Sequence, residues 1–173
     1  GVPRETIRLV NVDGNIRVRG TRTETDVTDS LQTYIDKVIP HLLKQDLDGV
    51  IVKSRSPTCG LERIKQYRPT GEGFGSQDKM GQGLFTHRLL EKVPSLAVED
   101  EGRLQDAWLR ETFILRVYTQ ARWRMFLQSE PSVTQFQAFH RDHKYLLLSK
   151  SEVIYREMGK LVADATAQNL PEQ

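Results

Sequence analysis

Three things are scarce in these 173 residues, and each scarcity removes a class of protein. The chain has one cysteine, Cys59, so it can form no disulfide within itself. That fits a reducing compartment, and the expectation is a cytoplasmic protein. Excess charge is scarce too: 25 Lys and Arg against 23 Asp and Glu leave a formal charge of +2. Bulk attraction to nucleic acid is therefore excluded, and any such surface must come from local clustering of cations. Apolar runs are only a few residues long, too short for a membrane-spanning helix, and nothing has the pattern of a signal peptide. What remains is a hydrophobic fraction of 38% and a charged fraction of 28%, the composition of a globular chain with room for one or two small domains.

The lone cysteine sits in an informative place. Asp48-Gly49 marks a turn, and Val50-Ile51-Val52 is a short β-branched run. Ser56-Pro57-Thr58-Cys59-Gly60 then supplies small, polar and helix-breaking residues, so the pattern reads strand followed by tight turn. In parallel α/β sheets ligands gather at the carboxyl ends of strands, which makes Cys59 the place to look for chemistry. The competing reading is a small, inert, buried thiol.

Elsewhere in the first hundred residues the pattern alternates between strand and helix. Thr6–Val10 and Asn15–Arg19 alternate apolar with polar side chains around Asp13-Gly14, a hairpin signal. Thr28 is placed to cap a helix with Leu31, Ile35, Val38 and Leu42 on its apolar face and Tyr34 beside it, kinked or shortened by Pro40. Leu84, Phe85, Leu89, Leu90 and Val93 predict a second helix, and Leu96-Ala97-Val98 the next strand. Strand, helix and strand in that order predict a parallel crossover, hence a partial, Rossmann-like α/β sheet. Gly71-Glu72-Gly73-Phe74-Gly75-Ser76 lacks the Gly-Lys-Ser/Thr of a phosphate-binding loop and follows no strand directly, so it reads as a surface loop.

Glu99-Asp100-Glu101-Gly102-Arg103 separates this part from a region without strand pattern. Leu109, Phe113, Val117 and Ala121 recur every four residues and predict a long helix, broken at Glu130-Pro131-Ser132. A second helix from about Val133 runs into Leu146-Leu147-Leu148, and a third holds Val153, Ile154, Met158, Leu161 and Val162. The expectation is an all-α unit after the α/β part. His140 and His143 share a helical face but have no third ligand nearby. Arg141 and Lys144, together with Arg116, Arg122, Trp123 and Arg124 on the preceding helix, form a basic set with an aromatic among it. Such a set suits phosphate contacts and base stacking, and equally an ordinary solvated helix face.

Lys53-Ser54-Arg55-Ser56-Pro57-Thr58-Cys59-Gly60-Leu61-Glu62-Arg63 resembles a cluster-binding motif of the thiouracil desulfidase family, the TudS-like proteins. Gly1-Val2-Pro3-Arg4-Glu5-Thr6-Ile7-Arg8-Leu9-Val10 is similar to the stretch after that family's second cysteine motif, and Asp26-Val27-Thr28-Asp29 to the start of its next helix. Trp108-Leu109-Arg110-Glu111, Phe113-Ile114-Leu115-Arg116-Val117 and Phe139-His140-Arg141-Asp142-His143-Lys144-Tyr145-Leu146-Leu147-Leu148 resemble the YbgA-type helical domain fused to some desulfidases. The resemblance implies that residues 1–102 are the C-terminal part of the α/β domain and 103–173 the N-terminal part of the helical one, so that the chain is an internal fragment.

The resemblance further implies hydrolytic removal of sulfur from a thiolated pyrimidine, 4-thiouridine in transfer RNA (tRNA) for the fused subgroup. It implies a 4Fe-4S cluster in the full-length protein with Cys59 as one metal ligand; Ser56, with Ser54 as the competing candidate, is placed to contact substrate or cluster as a catalytic residue, the alternative for both being hydroxyls that cap turn amides. The chain departs from the family pattern in two respects. Thr58 stands where serine is more usual, and the two further cysteine motifs are missing, so the expectation is a chain that binds no cluster and is inactive alone. The rival expectations are a non-catalytic RNA- or protein-binding helical module with an inert α/β remnant, and a thiol enzyme using Cys59, whose base would have to come from one of four histidines brought near by folding.

Overall fold

A computed structural model describes residues 4–70 and 80–166. The glycine-rich stretch at 71–76 lies outside the described residues. The elements run β1 (Ile7–Val12), β2 (Asn15–Gly20), α1 (Thr28–Leu43), β3 (Gly49–Val52), β4 (Ile64–Tyr67), β5 (Met80–Gly81), α2 (Leu84–Lys92) and β6 (Ala97–Asp100). A 3-10 turn at Arg103–Gln105 leads to four helices: α3 (Ala107–Gln128), α4 (Val133–Asp142), α5 (Lys144–Lys150) and α6 (Glu152–Ala163). An α/β part followed by an all-α part is thus the architecture. Compact units divide at Gln120, within α3. Among the described residues no helix is long and apolar enough to cross a membrane.

The first unit holds two small sheets. One has the order β2-β1-β4-β5, with β1 antiparallel to β2 and parallel to β4; the other is the parallel pair β3 and β6. The predicted strand–helix–strand crossover is therefore present as β3-α2-β6. Ile35 and Ile39 of α1, Leu89 of α2, Val52, Leu96 and Val98 form one buried cluster, and Leu9, Val18 and Ile64 form another. Leu31 and Leu84 pack against both, so the two sheets share a continuous core.

Details of α1 differ from the sequence expectation. Its inward line is Leu31, Ile35, Ile39 and Leu43, spaced four apart, which leaves Val38 and Leu42 half-buried at the flank and Tyr34 exposed. The helix continues through Pro40 and ends three residues later. Thr28 does not cap it: the residue is the first of the helix and is fully buried. Its hydroxyl accepts from the Val18 amide at 2.7 Å and donates to Asp26 Oδ1 at 2.6 Å, while the Thr28 amide donates to the same oxygen at 3.0 Å. Asp26, two residues earlier, supplies the carboxylate that the helix start needs. The strand β4 was not anticipated, because Ile64-Lys65-Gln66-Tyr67 is short and mixed, and pairing with β1 decides it.

The Arg17 guanidinium, 2.8 Å from Asp26, holds that carboxyl well below the usual carboxylate range, with the Thr28 hydroxyl and amide adding to the effect against the cost of desolvation. A depressed carboxyl contributes stability that is complete above the unfolded-state value and is lost as pH falls below it. We therefore expect the urea midpoint of the chain to decline as pH drops through the ordinary aspartate range. Asp26→Asn should lower the midpoint at pH 7 and flatten that decline; an unchanged acid slope in the variant would remove Asp26 from the account.

Candidate functional site around Cys59

The cysteine turn is built by an unusual reciprocity between a loop and a helix start. Four consecutive carbonyls, from Pro57 to Gly60, all accept hydrogen bonds from residues 83–86. The Gly83 amide donates to Gly60 O at 2.9 Å, Leu84 to Pro57 O at 3.3 Å, Phe85 to Thr58 O at 2.8 Å, and the buried Thr86 hydroxyl to Cys59 O at 2.6 Å. A helix start leaves its first amides without intrahelical partners. Here the loop accepts from the Leu84 and Phe85 amides and from the Gly83 amide before them, so α2 and the turn are tied together. The approach is close enough that a Cβ at Gly83 would lie 2.6 Å from Cys59 N and from Thr58 C, and 2.7 Å from Gly60 N. Only glycine fits against that backbone.

Inside the turn, Ser56 Oγ accepts from the Thr58 and Cys59 amides, each at 3.3 Å, and Ser56 O accepts from Gly60 N at 2.8 Å. Gly60 is buried, and a Cβ there would meet Ile64 Cδ1 at 2.3 Å. Cys59 itself is a free thiol of intermediate exposure at the edge of the α1–α2–β3–β6 core. Arg55 and Arg63, on either side of the turn, both have φ of 56°.

The ends of β3 and β6 contribute residues that sequence reasoning treated only as a separator. Glu99 and Asp100 are buried at the carboxyl end of β6. The Arg103 guanidinium donates from Nε to Glu99 Oε1 at 2.7 Å and from Nη1 to Glu62 Oε1 at 2.6 Å, tying the residue three places beyond Cys59 to the strand end. Asp100 Oδ1 accepts from the Arg103 amide at 2.8 Å. Glu101 accepts from the Ser54 amide at 2.6 Å and pairs with Lys53; chiefly through Lys53, its carboxyl is held below the usual range. The available signal was a pair of carboxylates directly after an apolar strand run, with arginine four residues beyond Glu99. Ser54, Ser56 and Cys59 therefore lie together on one loop, bordered by α2 and by these carboxylates.

The other expected site residues lie on helices. In the first unit Arg116 donates from Nη2 to Leu96 O at 3.2 Å, which fixes it structurally against the start of β6. In the second unit Trp123 is half-buried among Phe126, Phe136 and Phe139, with ring centroids 5.5–6.5 Å away. His140 stacks on Tyr155 at 5.1 Å; His143 stacks on Phe139 at 4.1 Å, with Nδ1 2.7 Å from Phe139 O. Arg122, Arg141 and Lys144 are exposed, and Arg124 is half-buried. His143 also ends α4, so the helix expected to run into Leu146–Leu148 is two helices.

Does this geometry suit an iron–sulfur cluster? A cubane cluster takes thiolates at three or four irons, and this chain has one cysteine. Among the described residues no three His, Cys, Asp or Glu come together in a way that could hold a metal ion. These residues alone do not fit such a cluster.

The turn's dependence on α2 is directly testable. Thr86→Val preserves shape but leaves the Cys59 carbonyl without its donor, and we expect a loss of about 1–3 kcal/mol in unfolding free energy. Alkylation of Cys59 by iodoacetamide should accelerate as well. A variant that melts like the parent and is alkylated at the same rate would show that the turn stands without the helix.

Comparison with known proteins places the first part of the chain in a family. Residues 1–101 match the 2-thiouracil desulfurase family, a span that includes the hairpin, the cysteine turn, α2 and β6. No curated protein and no solved structure matches the chain. Since the match covers 101 of 173 residues, more than half, the chain belongs to the 2-thiouracil desulfurase family, whose activity implies a thiolated pyrimidine as substrate.

Proposed function

We propose that this chain is part of a hydrolytic desulfidase whose natural substrate is 4-thiouridine in tRNA, with Cys59 at the reacting centre. The observation that supports this most is the lock on Cys59: four successive loop carbonyls bound by one helix start hold its backbone in a fixed place. The reaction exchanges a ring C=S for C=O; water supplies the oxygen, hydrosulfide leaves, and no net electron is transferred. In this reading Cys59 is one thiolate ligand of a 4Fe-4S cluster whose other thiolates come from polypeptide outside these residues.

The roles of the chain's own residues are positional. Ser56 Oγ holds the turn by accepting two amides, and its proton remains available to a ligand. Ser54 is set by the hydrogen bond that its backbone amide donates to the Glu101 carboxylate. Residues 103–173 are proposed to belong to a YbgA-type helical domain, with exposed Arg122, Arg141 and Lys144 meeting tRNA phosphates.

The decisive measurement is hydrosulfide release from 4-thiouridine by the protein extended to include further cysteine motifs and reconstituted anaerobically with iron and sulfide. Cys59→Ser should abolish release and visible absorption together while leaving the far-UV circular dichroism intact. Full activity in that variant would sink the assignment. Replacing Arg122, Arg141 and Lys144 with alanine should weaken tRNA binding and its salt dependence but spare release from the free base.

A further inference from the structure

A second feature lies beside the cysteine turn. A cavity of about 500 Å³ is lined by Arg8 of β1, Arg55 and Pro57 of the cysteine turn, and Arg63, Lys65 and Tyr67 at and within β4. Four cations in one cavity stand out in a chain whose formal charge is only +2.

Two of these cations, Arg8 and Arg63, are ion-paired, and two have no carboxylate partner among the described residues. Arg8 pairs with Glu24, but its Nε is buried without a partner, and its guanidinium lies 5.2 Å from the Tyr67 ring centroid. Lys65 Nζ lies 5.1 Å from the same ring. Arg63, largely exposed, pairs with Glu62 at 3.4 Å. Among the described residues no carboxylate pairs with Arg55 or Lys65. Arg8 and Lys65 thus share one tyrosine, and while Glu24 balances Arg8, Lys65 brings no carboxylate partner among the described residues, which leaves room for an anion.

Backbone conformation points the same way. Arg55 and Arg63 both occupy the left-handed region, with φ of 56°. Glycine adopts that conformation without steric cost, whereas a side chain with a Cβ does not. Folding alone would favour glycine at both positions. Asp13, Glu24, Asp46 and Glu130 share that conformation, so it marks no site by itself; what sets Arg55 and Arg63 apart is that both side chains line one cavity.

We propose that this cavity is a phosphate-binding site, which takes a phosphate of a nucleotide or of an RNA strand through Arg55, Arg63, Arg8 and Lys65. Guanidinium groups match phosphate oxygens in paired hydrogen bonds, which is why arginine suits such a site. The inference adds to the desulfidase reading a way to hold the substrate's backbone, but its test uses ligands without sulfur. Failure of either reading is therefore separable from the other.

The experiment measures binding of uridine monophosphate, inorganic phosphate and a short single-stranded oligouridylate to the full 173-residue chain, by calorimetry at two salt concentrations. Arg55→Gly and Arg63→Gly should hold or raise the melting temperature while weakening phosphate binding about tenfold or more each. Lys65→Gln, at an exposed position, should weaken it less. Equal gains from the monophosphate and the oligomer would identify a single-phosphate site; affinity confined to the oligomer, with a salt slope reduced in the variants, would identify a strand site. Absence of binding to all three ligands, or unchanged affinity in both glycine variants, overturns the proposal. So does a large fall in melting temperature on either glycine substitution, since it would make these arginines structural.

Discussion

Everything placed near Cys59 depends on the exchange of hydrogen bonds between residues 57–60 and 83–86. Neither partner could be buried alone. The loop would present four carbonyls and the helix start its unpaired amides, each costly away from water. Joined, they let a tight turn and a nine-residue helix stand against one core. The bonds also occupy the Gly83, Leu84 and Phe85 amides that the start of α2 would otherwise turn outward, so this helix start acts as a clamp on the turn.

The second constraint is the fork of Arg103, which joins Glu62 from the cysteine loop to Glu99 at the end of β6. With α2 gripping the first half of the loop and Arg103 its far end, the chain from Pro57 to Glu62 is fixed at both sides. Two ion pairs of this kind contribute little to stability when exposed. Glu99 is largely buried, however, and an unpaired carboxylate there would be costly, so register between loop and strand follows from charge as well as from packing.

Much of the fold was legible from the sequence, and the parts that were not have physical reasons. The hairpin, β3, α2, β6 and the break after α3 follow from periodicity and turn chemistry, which are local. The strand β4 is set by pairing with a β1 far away in sequence, and no local pattern reports that. The N-terminus of α1 was misread because Thr28 and Asp26 are both capping residues; only burial of Thr28 beneath Val18 decides between them. At the site, the cysteine turn was legible because proline, glycine and a lone thiol are distinctive. The carboxylates of β6 were read as a polar separator, since the sequence does not say that Glu99 and Asp100 are buried. The aromatic ring of Trp123 was read as available for stacking, whereas in its unit it packs among three phenylalanines.

A formal charge of +2 conceals a sorting of charge around the cysteine turn. Carboxylates collect at the end of β6, where Glu99, Asp100 and Glu101 meet Arg103 and Lys53 and are largely neutralised. Cations collect between β1 and β4, where fewer counter-charges are at hand. Interactions at this range lie within a Debye length of about 8 Å in physiological salt and are not screened away. The turn thus has a neutralised side and a cationic side, and an anion approaching it is drawn to the side where Arg55 and Arg63 already hold a backbone conformation that costs a non-glycine residue about 1–2 kcal/mol each. Two glycines would relieve that cost without disturbing α2 or the core, because neither arginine takes part in the bonds between 57–60 and 83–86. The clamp that fixes Cys59 and the arginines that line the cavity are therefore separable in physical terms, although they share one loop.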